Sequence, residues 1–142
     1  MRCLSRLLAS SVLFASTAFA QGPLVLMGID AEDGGPGGHG PISSYLSVIT
    51  NANTTGILDN VSNGGSGILV IGGGKDPNDD VTEFWDEMDN LLGGGVVTYV
   101  NGASVAGQTF AGFAMLAIVS DVDNTSSGGL TNSEMSQLAA RA

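Results

Sequence analysis

A single histidine, His39, follows three closely spaced carboxylates, Asp30, Glu32 and Asp33. Further acids gather at Asp76, Asp79 and Asp80, and again at Asp121 and Asp123. Hard oxygen ligands of this kind suit Ca²⁺ or Mg²⁺ when they converge. A histidine among them can serve as ligand or general base. The candidate metal set is therefore Asp30, Glu32, Asp33, His39, Asp76, Asp121 and Asp123. Asp121-Val122-Asp123-Asn124 alternates oxygen ligands, yet it lacks the remaining positions of an EF-hand loop and its closing Glu. The plainer reading of the same residues is solvated loop acids and helix caps, a task for which Asp79 and Asp80 are well placed.

Other motifs fall short of a complete catalytic set. Gly35-Pro36-Gly37-Gly38-His39-Gly40 spells G-x-G-x-x-G. A dinucleotide fingerprint needs its first glycine at the strand end, and here the preceding carboxylates would repel a pyrophosphate. The plainer expectation is a flexible glycine-rich connector. Gly72-Gly73-Gly74-Lys75-Asp76 has the lysine of a phosphate loop, but Leu69 and Asp76 stand where glycine and Ser or Thr are required. Lys75 is expected to pair with surrounding acids. Ser120 could act as a nucleophile only beside a base, and its flanks, Val119 and Asp121, do not form G-x-S-x-G. Trp85 is expected to pack beside Phe84. Asn53-Thr54-Thr55, Asn60-Val61-Ser62 and Asn124-Thr125-Ser126 match the glycosylation acceptor pattern, which matters only in a eukaryotic secretory path.

The elements that must position these groups are legible as alternating strands and helices. Residues 24–29, 68–71, 96–100 and 114–119 are continuous apolar runs of strand length. Ile42, Tyr45, Leu46 and Ile49 share one helical face after Pro41. Residues 51–67 read as a loop with a helical turn near Ile57, Leu58 and Val61. Residues 80–92 read as a helix opened by Asp80-Val81-Thr82-Glu83 as a capping box and stopped by Gly93-Gly94-Gly95. Thr131-Asn132-Ser133-Glu134 is a second capping box. The segment after Asn101-Gly102 is expected to be irregular. Uniformly apolar strands alternating with helices predict an α/β domain: an open, mostly parallel four-stranded sheet with flanking helices. Its strands then end on one edge, where ligands of such sheets bind, and most of the acids singled out above fall just past those ends.

The N-terminus reads as an address. Arg2 and Arg6 precede an apolar run over residues 7–19, and Ala18-Phe19-Ala20 is a small-x-small cleavage site. Residues 1–20 are expected to be a signal peptide and residues 21–142 a single exported domain, periplasmic, extracellular or at the cell surface. Cleavage removes Cys3, the only cysteine, so the remainder has no disulfide, no Cys-ligated zinc and no thiol nucleophile. It also leaves Lys75 and Arg141 as the only Lys or Arg against all 14 acids. Even the whole chain of 142 residues has a formal net charge of −10, too few cations to neutralise phosphates or to dock on an anionic membrane. No run of 18 apolar residues follows residue 20, so no membrane insertion is expected after cleavage.

The succession of residues 68–74, the helix at 80–92, the strand at 96–100, Phe110-Ala111-Gly112-Phe113 leading into 115–120, and Gly129-Leu130-Thr131-Asn132-Ser133-Glu134 resembles the first half of a class I glutamine amidotransferase-like domain. The resemblance is closest to flavodoxin-like variants in secreted bacterial proteins. Residues 28–41 are similar to an N-terminal signature of uncharacterised bacterial extracellular proteins. The resemblance implies a flavodoxin-like or Rossmann-like fold and a longer domain that continues past the helix at Thr131. It does not carry the activity across. Those enzymes use a cysteine on a strand-to-helix elbow with a later His and Glu, whereas here no cysteine follows Cys3 and no histidine follows His39. The expected function is a secreted non-catalytic module with a structural or binding role. The alternative is a divalent-metal-dependent hydrolase working at the acidic rim. An exposed sheet edge is expected to offer a site for another protein chain.

Overall fold

The computed structural model describes residues 31–120 and 128–141. The expected signal peptide, the strand expected at 24–29, and the metal candidates Asp30, Asp121 and Asp123 lie outside the described residues. Within them the protein is α/β, with an open sheet of three parallel strands in the order β2-β1-β3. The strands are β1 (Ile68–Ile71), β2 (Val97–Val100) and β3 (Met115–Ile118). Ile68 lies opposite both Val97 and Met115, and Ile71 opposite both Val100 and Ile118.

β1 is central because both its faces are apolar. Its four side chains are essentially inaccessible, and each such burial contributes about 1.5–3 kcal/mol. Ile68 and Val70 point into a core closed by α1 (Ile42–Ile49) and α2 (Asp80–Leu91). Tyr45 and Ile49 of α1, Val81, Phe84, Trp85 and Met88 of α2, and Ala117 of β3 complete that core. Phe84 stands edge-on to both Tyr45 and Trp85, with ring centroids 5.6 and 5.5 Å apart. Leu69 and Ile71 point to the opposite face, covered by Val100, Val105, Phe110, Phe113 and Leu138 of α3 (Asn132–Ala139).

Three local expectations need correction. Asp79, rather than Asp80, caps α2: its carboxylate accepts the Thr82 N–H at 2.6 Å. The extended backbone needed at a cap falls one residue earlier than the capping-box pattern suggests. The segment after Asn101 is ordered as a 3-10 helix, Gly102–Gly107, which packs against α3. The glycine-rich connector is a packed turn: Gly35–Gly37 forms a 3-10 turn against α2. A Cβ on Gly38 would stand 1.9 Å from the Asp33 carbonyl oxygen, so that turn closes only with glycine there. The turn near Leu58 and the capping box at Thr131 are present as expected.

Candidate functional site

Parallel strands deliver several polar residues to the C-terminal edge of the sheet, and they divide into two clusters. The first forms around Glu32, which is 6% exposed. Its Oε2 accepts both the backbone N–H and the Oγ–H of Ser120, each at 2.8 Å, just past the end of β3. Its Oε1 accepts the indole N–H of Trp85 on α2. One buried carboxylate thus joins the N-terminal loop, the β3 end and α2. A charged acceptor makes hydrogen bonds roughly twice as strong as a neutral one, which offsets the cost of burying it. Ser120 therefore meets an acid, as a nucleophile would require, but that acid is shared with two further N–H donors.

The second cluster forms around Glu134 in the first turn of α3, which is fully buried. Its carboxylate accepts the Lys75 ammonium at 2.9 Å, the Thr131 N–H at 2.9 Å and the Thr131 hydroxyl at 3.0 Å. The N–H of Gly102, following β2, completes the set. Burial works to raise the pKa of this acid, but the Thr131 and Gly102 N–H groups, with Lys75 and the Thr131 hydroxyl, outweigh it and hold the carboxyl below the usual glutamate value. Lys75 also donates to the carbonyl oxygen of Gly129. Its partner is thus an acid 59 positions along the chain, rather than the neighbouring aspartates.

The remaining motifs are absorbed in the same way. In the 72–74 glycine run, Gly72 N–H donates to the Val100 carbonyl at 2.8 Å and Gly74 N–H to the Thr82 hydroxyl at 3.2 Å. Asn101 caps the run from the other side, donating to the Gly73 and Gly74 carbonyls at 2.9 and 3.2 Å. The Tyr99 ring packs so closely on Gly74 that a Cβ there would lie 2.5 Å from it. Burial and the hydrogen bond from Tyr99 to Asp86 push the phenol pKa far up, so it stays protonated. Arg141 donates to the Val105 and Ala106 carbonyls at 2.9 Å and lies over the Phe110 ring.

Of the candidate metal ligands within the described residues, Glu32 is turned inward as above. Asp33 and His39 stand together on the exposed turn, 3.7 Å apart. Asp76 accepts the Asn78 N–H and side-chain amide at 2.9 and 3.0 Å and begins the turn into α2. Among the described residues, no three His, Cys, Asp or Glu side chains gather as metal ligands. The residue that sequence reasoning missed is Glu134. Its position in a capping box was visible, but its partners Lys75 and Gly102 meet it only through the fold. No buried side-chain polar atom among the described residues lacks a partner. Compared with known proteins, the chain matches no family model, no curated protein and no solved structure.

Proposed function

We propose that this chain is an exported, non-catalytic α/β module with a structural or binding role at the cell surface or beyond it. The signal-peptide pattern supports export. The observation that carries the non-catalytic reading is the use of the two buried carboxylates. Glu32 spends its oxygens on Ser120 and Trp85, and Glu134 on Lys75, Gly102 and Thr131, so these two buried carboxylates hold segments of the chain together rather than stand ready for a substrate. The proposal extends to the fold: residues 24–29 supply a fourth parallel strand, and the domain is flavodoxin-like, related to the first half of the glutamine amidotransferase-like domains. Counted from β1, the order β2-β1-β3 is that of the first three strands of a flavodoxin-like sheet, and residues 24–29 are then a strand added ahead of them.

The test is a panel of chromogenic ester, glycoside, phosphate and amide substrates, run with Ca²⁺, Mg²⁺ and EDTA. The expected result is no turnover above buffer in any condition. Metal-dependent hydrolysis that disappears in His39→Ala would replace this reading with a hydrolase acting at the acidic rim.

A further inference from the structure

We infer that residues 24–29 dock on the outer edge of β3, parallel to it, making the strand order β2-β1-β3-(24–29). The inference rests on the fourth-strand reading above and adds its place in the sheet. Three observations on the described residues support it.

The first is the point at which the chain enters the described body. Ala31 is buried in the α1–α2 core, and Glu32 is fastened to Ser120, two residues beyond the end of β3. The apolar hexapeptide 24–29 stops only a few residues short of that anchor. At about 3.3 Å per residue its roughly 20 Å length is enough to flank all of β3.

The second is handedness. α1 and α2 cover the same face of the sheet. The β1-α2-β2 crossover moves across that face in one direction, and crossovers between parallel strands are right-handed almost without exception. A crossover from 24–29 through α1 to β1 on the same face must advance in the same direction. It must therefore start on the far side of β1 from β2, which is the side β3 occupies. Because β3 pairs directly with β1, the vacant place on that side is the outer edge of β3.

The third is the condition of the two edges. Val119 donates to Ile71, so alternation along the strand turns the N–H groups of Leu116 and Ile118 outward. Among the described residues no strand pairs with them. At the opposite edge the N–H of Val97 is already taken by the Asp89 carboxylate at 2.8 Å, which also accepts from Gly95 and Val96. β2 is thus closed where a parallel neighbour would begin.

The test is amide hydrogen exchange and nuclear Overhauser contacts in the ¹⁵N-labelled full chain. The expected result is slow exchange at Leu116 and Ile118, independent of protein concentration, with contacts from both to residues 24–29. Val25→Pro and Leu26→Pro provide a second measurement. Alternation places one of these two N–H groups toward β3, so one variant should raise exchange at Leu116 and Ile118 toward that of exposed loop amides such as Gly64. Contacts from residues 24–29 to the outer side of Tyr99 would overturn the placement and leave the fourth-strand reading intact. Fast exchange at both edges in the folded chain would overturn both. Protection that appears only on concentration, with contacts between molecules, would assign the edge to a second copy and overturn the inference.

Discussion

Glu134→Gln keeps the side-chain volume and removes the charge, and the structure makes its cost calculable. The carboxylate serves four donors: the Lys75 ammonium, the Thr131 N–H, the Thr131 hydroxyl and the Gly102 N–H. A glutamine offers one carbonyl oxygen, and its amide group must face other donors. Lys75, whose side chain is 26% exposed, is left with backbone carbonyls alone. Breaking a fully buried ion pair by removing one partner costs about 3–5 kcal/mol, and the access of Lys75 to water lowers this to about 2–4 kcal/mol. Urea unfolding at pH 7, followed by the fluorescence of the single tryptophan, measures it directly. The dependence on pH gives the sign. The folded carboxyl titrates below the usual glutamate value, so its contribution is fully present above that usual value and fades as pH falls through the folded pKa. The advantage of the wild type over Glu134→Gln should therefore be constant near neutrality and shrink in acid. A loss smaller than about 0.5 kcal/mol at pH 7 would refute the assignment of Glu134 as the tie between α3, β1 and β2, because that is the range of an ordinary surface change.

Two further outcomes follow from local geometry. Asp79→Ala should cost about 1–2 kcal/mol in a denaturation experiment, the usual loss of an N-cap, whereas Asp80→Ala should cost about 0.5 kcal/mol as a first-turn charge; equal losses would contradict the position of the cap. Gly128→Ala should lower stability by at least about 2 kcal/mol by thermal melt. Gly128 has a φ of +82°, and an added Cβ would stand 2.2 Å from the Asp79 carboxyl carbon.

The regular elements were legible because their signals are local. The run at 68–71 is apolar at every position, which only a strand covered on both faces tolerates, and β1 is that strand. The spacing of Ile42, Tyr45, Leu46 and Ile49 and the glycines after Leu92 marked α1 and the end of α2. The Thr131–Glu134 box marked the start of α3. The polar edge was less legible because its pairings span the chain. Glu32 meets Ser120 across 88 positions and Lys75 meets Glu134 across 59. Type and spacing named Glu32 as an available ligand, but its burial depends on how α2 brings Trp85 over it. The cap at Asp79 was displaced by one position because Asp79 and Asp80 have the same side chain, and only the backbone angles tell them apart. Asp89 carried a sequence signal that was not used: an acid shortly before three glycines, well placed to collect the N–H groups of the following turn.

The central claim is that the carboxylates at the sheet edge are fasteners, and the stability of Glu32→Gln in EDTA tests it most directly. Residues kept for ligand binding repel one another or stay strained in the empty protein, so neutralising one leaves stability unchanged or raises it. A fastener behaves oppositely. The account predicts that Glu32→Gln, with Ser120 and Trp85 deprived of their charged acceptor, unfolds at lower urea by about 1.5–3 kcal/mol, and that Ca²⁺ and Mg²⁺ move neither the variant nor the wild type. A variant as stable as the wild type in EDTA, together with a wild-type melt raised by either ion and a loss of that rise in Glu32→Gln, would contradict it.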